Sequence, residues 1–255
     1  MAVSQALVLT QDQIQAFTRD GFLRLEGVLS ADLLARMRAN LDALLDRAPQ
    51  EAAHNKDFQL EPGTTLHAVR KINNFVRYGD VWWEFVRHPM ILVAMRDLLG
   101  DDVRLHHTKL MMKPPLEGSA KEWHQDLDSY IDAAERARLL SLGRALRAVD
   151  APLIAAQAYL DDSTPQNGCL EFVPGSHEGG LLPAKGIERF IQPEQVVKLP
   201  AQAGDVALFH CLTLHFSAPN QSPHARRGPV AQYYRPPTQV RIRELDAEGF
   251  GLRLT

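Results

Sequence analysis

The chain has 255 residues, 45% hydrophobic and 23% charged, with 28 Lys and Arg against 31 Asp and Glu for a net charge of −3. That composition excludes disorder, collagen and coiled coil as the main organisation, and a chain of this length buries enough surface to hold an internal cavity without a disulfide or a structural metal. The small negative charge sets up no field that draws phosphate backbones or anionic lipid, so neither nucleic acid nor a membrane is an expected partner.

Thr10 with Gln13 reads as a capping box opening a short helix that Gly21 closes, and Phe22, Leu23 and Leu25 follow as a short strand. Ser30 caps the next helix, where Leu34, Met37, Leu41, Leu44 and Leu45 recur at steps of three and four, and Pro49 is its expected end. Asp80 opens another helical stretch, Pro89 begins a second segment of it, and Gly100 closes it. Residues 1–100 are thus expected to be a mainly helical flank.

After Gly100 the pattern changes to short β-prone runs separated by Gly and Pro, with strands expected at 103–112, 152–160, 169–173, 195–199, 206–210 and 230–234. Turns fall at Asn167-Gly168 and Gly204-Asp205. Many short strands punctuated by turns indicate a sandwich or jelly roll. Residues 131–149 interrupt the pattern with Ala, Leu and the arginines 136, 138, 144 and 147 at helical spacing, a lid or surface helix. The expectation is one domain over 1–255, with a core at 101–240 and a helical insertion at 131–149.

Cys169 and Cys211 lie far apart without a CxxC, which points to reduced thiols. The first thirteen residues lack the basic start and apolar core of a signal peptide, and the longest apolar run, 90–95, is too short to span a bilayer. A cytoplasmic location is the resulting expectation.

Of the ten histidines, His54, His67, His88 and His224 read as surface, turn or core residues. His124 and Asp126 differ, because an H-x-D step on a strand points both side chains to one face. Two histidines and one carboxylate on one face of a metal, with positions left open, form the donor set of mononuclear non-haem iron. The third ligand is sought downstream: His215 is the candidate and His210 its rival. By itself the H-x-D step reads more readily as a hydrogen-bonded strand histidine beside a turn aspartate. Beyond His215, the guanidinium of Arg226 is suited to grip the far end of a dicarboxylate, and Ser217 offers a hydroxyl to the same group.

The run KPPLEGSAKEWHQD, the run YLDDSTPQNGCLEFVPGSH and the spacing of His215, Ser217 and Arg226 together resemble the phytanoyl-CoA dioxygenase family of iron(II)- and 2-oxoglutarate-dependent oxygenases. The likeness begins at the helix and strand around Gln15 to Phe22, passes through Arg70-Lys71-Ile72 and reaches Arg226. It implies a mainly β fold with flanking helices, a double-stranded β-helix (jelly roll, cupin-like). It also implies Fe(II), 2-oxoglutarate and O2 as the reacting partners of a small-molecule substrate. His124, Asp126 and His215 are then the metal ligands, and Arg226 and Ser217 hold the distal carboxylate of 2-oxoglutarate, with Arg227 as the fallback for Arg226. Lys71, Lys109 and Gln157 are implied to line the cosubstrate pocket, Lys109 and Gln157 standing where phytanoyl-CoA hydroxylase has methionine and tryptophan. The alternative for the two lysines is an apolar stem packed on a sheet with the ammonium in water.

Trp82, Trp83, Tyr159 and Phe172 are candidates for a substrate pocket, with core packing as the plainer reading. Related halogenases replace the carboxylate ligand by a small residue so that chloride can reach the metal, and the presence of Asp126 therefore favours hydroxylation of a small organic metabolite with release of succinate and CO2, with desaturation, ring closure and epimerisation as the other outcomes of the same chemistry. Two other classes compete: a zinc hydrolase using the same three residues, which leaves Arg226 and Ser217 without a role, and a non-catalytic jelly-roll binding protein.

Overall fold

The computed structural model describes residues 9–62, 68–245 and 247–255. His67 and the first eight residues of the N-terminal stretch read above lie outside the described residues.

The helical flank begins at α1 (Gln11–Asp20), where Thr10 Oγ1 accepts from the Gln13 N–H at 3.2 Å and the Gln13 side chain accepts from the Thr10 N–H at 2.9 Å. Gly21 closes it at φ +83°, a left-handed conformation that favours glycine. β1 (Phe22–Leu25) follows, then α2 (Ala31–Glu51), which Ser30 caps and which buries Leu33, Leu34, Met37, Leu41, Leu44 and Ala48 on one face. Pro49 does not end α2. A proline in the last turn removes one ladder donor, and the Ala52 N–H still reaches Ala48 O at 2.9 Å, so the helix runs to Glu51. Pro89 begins a second helix as expected: α3 (Asp80–Val86) and α4 (Pro89–Leu99) lie on either side of the break, and Gly100 follows α4.

Two short strands inside this flank were not expected, β2 (Phe58–Leu60) and β3 (Val69–Asn73). β3 buries Val69 and Ile72 around a half-buried Arg70-Lys71 pair, so it carries no two-residue alternation to reveal it. Its strand character comes from pairing with β4 (Arg104–Lys113), Lys71 opposite Met111 and Asn73 opposite Lys109.

The remaining strands are β5 (Lys121–His124), β6 (Leu153–Ala158), β7 (Leu170–Phe172), β8 (Val197–Leu199), β9 (Val206–His210), β10 (His215–Ser217) and β11 (Arg226–Tyr234). A larger sheet runs β1-β9-β6-β11-β4-β3-β2 and a smaller one β5-β10-β7-β8, all neighbours antiparallel. Together they make a double-stranded β-helix. β10, only three residues long, was not read as a strand, and β5, four residues long, was expected only as the strand carrying the H-x-D step. β11 begins at Arg226 rather than Val230. Pro229 is tolerated inside it because β6 pairs with β11 only from Val230 onward.

The helices cover one side of the larger sheet. The core there contains Trp82 and Phe75, fully buried, with the Trp82 indole N–H donating to Asn40 Oδ1 at 2.7 Å, and Trp83 packs at its edge. Tyr159 and Phe172 belong to a second apolar cluster, with Phe209, Leu170 and Val230, and Phe172 stacks on Phe22 at 4.4 Å. The insertion contains α5 (Ala133–Leu142), whose Leu139 is buried with Leu127, Tyr130 and Val240. Two of its arginines are engaged: Arg136 with Asp128, and Arg138 with the buried Glu135. No helix among the described residues is long and apolar enough to cross a membrane.

Candidate active site

β5 ends at His124, and Asp126 already belongs to the 3-10 turn Asp126–Ser129, so the H-x-D step is not wholly on a strand. The expected geometry survives because Gln125 keeps extended dihedrals, φ −111° and ψ 129°, which send the side chains of 124 and 126 to the same side. Gln125 points elsewhere: its Nε2 donates to Leu212 O at 2.6 Å and Gly180 O at 2.9 Å, and its Oε1 accepts from the Leu182 N–H at 2.7 Å. That residue anchors the turn.

The third member comes from β10, which pairs with β5 so that His215 stands directly opposite His124, with ring centroids 4.1 Å apart. Across this pair one ligand atom each from His124, Asp126 and His215 lies within 4.8 Å of the others, a spacing that can hold a metal ion. His210 takes no part in this group: its Nε2 lies 3.2 Å from Ala148 O and its Nδ1 accepts from the Leu212 N–H at 3.1 Å.

Both histidines are prepared as ligands. His124 Nδ1 lies 2.8 Å from Glu122 O and His215 Nδ1 2.9 Å from Thr213 O. A carbonyl only accepts, so in each ring Nδ1 carries the proton and Nε2 keeps its lone pair for the site. Burial, and then the neighbouring His124, push His215 down to about 3, which keeps it neutral. Burial alone opposes the charge on Asp126, yet the Lys109 ammonium at 3.6 Å, the strongest of the groups that favour the charge, keeps the carboxyl well below its usual range. Asp126 Oδ2 also accepts from Gln232 Nε2 at 2.8 Å.

Two cavities meet at this triad. The smaller, about 70 Å³, is lined by the triad together with Lys109, Gln157, Ser217 and Arg226. Arg226 is buried and donates through Nη1 to Gly168 O. Gly168, at φ +78°, is required there, because a Cβ would collide with Ala218 O. Gln157 Nε2 is buried in this cavity with no hydrogen-bond partner, a donor left for a bound group. Sequence reasoning missed Lys113, whose ammonium donates to Ser119 O at 2.6 Å and lies 3.4 Å from Ser217 O. Burial, and then Arg226, lower Lys113 to about 7. The signal was present: residues 109, 111 and 113 alternate onto one face of β4.

Lys71 is placed elsewhere. It lines the second cavity, a broad cleft of about 630 Å³ that also contains His124, Asp126, Lys109 and Tyr130. Arg227, the alternative to Arg226, faces away from the small cavity and pairs with Asp161 and Asp42, both at 2.8 Å. Trp123 stacks on Phe216 at 5.3 Å.

Residues 17–228 match the family described as Phytanoyl-CoA dioxygenase (PhyH). The chain is 28% identical over 232 residues to a probable alpha-ketoglutarate-dependent hypophosphite dioxygenase of Stutzerimonas stutzeri, covering 85% of this chain and 75% of that protein. It is 28% identical over 249 residues to the ectoine dioxygenase of Bordetella bronchiseptica, covering 88% and 75%. Its fold is similar to the crystal structure of EctD from S. alaskensis with 2-oxoglutarate and 5-hydroxyectoine, with a TM-score of 0.74 and 24% identity over 94% of this chain and 81% of that one.

Proposed function

The chain belongs to the phytanoyl-CoA dioxygenase family and is an Fe(II)- and 2-oxoglutarate-dependent dioxygenase, and on that premise we propose that it hydroxylates a small organic metabolite at the junction of its two cavities. The observation that carries this reading is the shared position of the two-histidine, one-carboxylate group and the buried Arg226 around one small cavity. The residues present suit the group: two imidazoles whose Nδ1 atoms face backbone carbonyls, one ionised carboxylate and an unpartnered amide donor at Gln157.

In this reading His124, Asp126 and His215 hold the metal. Fe(II) bound there, with 2-oxoglutarate and O2, supplies an oxidant for a C–H bond as the cosubstrate is converted to succinate and CO2. Arg226 receives the distal carboxylate of 2-oxoglutarate in a charge-assisted pair that costs little reorganisation, since Gly168 O already fixes the guanidinium. Ser217 and Lys113 stand beside it as further donors, and Gln157 and Lys109 line the path between Arg226 and the triad. The small cavity with Arg226 receives the cosubstrate, and the broader cleft, which shares Lys109, His124 and Asp126 with it, is left for the substrate. Lys71 is therefore reassigned from cosubstrate to substrate side. In this reading the described residues act as one oxygenase domain, its helical flank packed on the larger sheet. A zinc hydrolase or a binding protein gives no work to Arg226, Lys113 or Gln157.

The test is an anaerobic titration of 2-oxoglutarate into the Fe(II)-loaded protein, following the visible metal-to-ligand charge-transfer band. A saturable band is expected, absent in His124→Ala and right-shifted in Arg226→Ala. A folded, iron-loaded protein that shows no band overturns the cosubstrate assignment.

A further inference from the structure

The broad cleft carries more positive charge than the protein neutralises. Arg70, Lys71, Lys109 and Lys121 all line it, brought from β3 and β4 of the larger sheet and from β5 of the smaller; Arg70, Lys109 and Lys121 also border the small cavity, whereas Lys71 borders the cleft alone. Lys109 is matched by Asp126 at 3.6 Å, and Arg70 reaches Glu61 at 4.0 Å. Lys71 and Lys121 form no ion pair with any described residue. The other carboxylate of the cleft, Asp57, is already engaged: it accepts from Tyr78 at 2.9 Å, Asn74 at 3.0 Å and Arg77 at 3.2 Å.

Burial, followed by repulsion from Lys109, Lys121 and Arg70, lowers Lys71 to about 8. Gathering like charges in a half-enclosed cleft costs stability, and the arrangement becomes favourable when an anion occupies it. The cosubstrate's distal carboxylate has Arg226 and Lys113 in the small cavity, so it does not meet the charge of Lys71, which borders the cleft alone.

Resting on the oxygenase reading above, we propose that the substrate is a small organic acid whose carboxylate or phosphate is bound by Lys71 and Lys121 in the broad cleft, beside the face of the triad that Lys109 borders. The anion sets which part of the molecule reaches the metal side: the charged group stays with the lysines and the C–H bond to be oxidised projects toward His124 and Asp126.

The experiment uses the Fe(II)- and 2-oxoglutarate-loaded protein without oxygen, and measures by calorimetry the binding of matched pairs: hexanoate against hexanamide, and glycerol 3-phosphate against glycerol. At least one anion is expected to bind about tenfold or more tightly than its neutral partner, as two charge-assisted contacts allow, and the pair that separates more identifies carboxylate or phosphate as the group. Lys71→Gln is expected to erode that preference while the 2-oxoglutarate titration midpoint stays within about twofold of wild type, a change of under 0.5 kcal/mol; Lys121→Gln, at a residue that borders both cavities, is expected to erode the preference as well. Both variants relieve repulsion, so they are expected to melt no lower than wild type. Equal binding within both pairs, absence of anion binding, or a preference that persists in the double variant overturns the proposal. Failure of the parent reading shows separately, as loss of the charge-transfer band in the wild type.

Discussion

Gln232 Nε2 donates a 2.8 Å hydrogen bond to Asp126 Oδ2, joining residues 106 apart in sequence. Gln232 is fully buried on β11, and the same Nε2 lies 2.7 Å from the hydroxyl of Tyr130. Holding Oδ2 in this way leaves Oδ1 as the carboxylate oxygen that faces His124 Nε2 at 3.6 Å.

Gln232 is therefore a positioning residue for the metal site. Gln232→Leu is expected to weaken Fe(II) binding by roughly 10- to 100-fold, the usual effect of removing a partner that orients a ligand. Equilibrium dialysis with iron, beside a circular dichroism spectrum to establish folding, measures it; unchanged affinity removes Gln232 from this role.

Arg226→Lys keeps the charge and loses the planar fork. Loss of one charge-assisted hydrogen bond, ~1.5–3 kcal/mol, corresponds to a KM for 2-oxoglutarate raised by about 10- to 100-fold. The value of kcat at saturating cosubstrate is expected to change much less, because the contact is made equally before and during reaction. Steady-state succinate release over a range of 2-oxoglutarate concentrations separates the two.

Stability depends on the helical flank independently of the chemistry. Leu41 lies fully buried on the inner face of α2, and Leu41→Ala is expected to cost ~2–5 kcal/mol through lost burial and the cavity left behind. Differential scanning calorimetry should show a melting temperature lower by several degrees, with Fe(II) binding retained below the transition.

Glu135 ties the insertion to the C-terminal segment: its carboxylate bonds Arg138 at 2.5 Å and Arg241 at 2.9 Å. The Arg138 hydrogen bond first, and then Arg241 against the opposing effect of burial, lower Glu135 to about 2 from 4.5. A folded value below the unfolded one means that this stabilisation is complete above the ordinary carboxyl range and is lost as pH falls from about 4.5 towards 2. Thermal melts across that window are expected to fall more steeply for wild type than for Glu135→Gln, and parallel curves would falsify the link.

The family likeness, the jelly roll and the His124–Asp126 part of the triad were readable from local sequence, because caps, helical periodicity, turn glycines and an H-x-D step are all written within a few residues of one another. His215 was chosen over His210 on spacing and resemblance, and Arg226 over Arg227 in the same way. What separates each pair physically is which face of a strand a side chain occupies, and that follows from register: His215 stands opposite His124, while Arg227 turns out towards Asp161.

Tertiary structure alone decided the rest. β3 has no alternation, and becomes a strand only by pairing with β4; through that pairing Lys71 enters the broad cleft rather than the cavity that holds Arg226. Lys113 and Gln232 read as ordinary strand residues until β4 and β11 place them against Ser217 and Asp126. Chain-local physics determines which segments are helix, strand or turn and which residue types are available for chemistry. Which charges end up facing one another is a long-range property, set by strand pairing between segments that carry no record of each other.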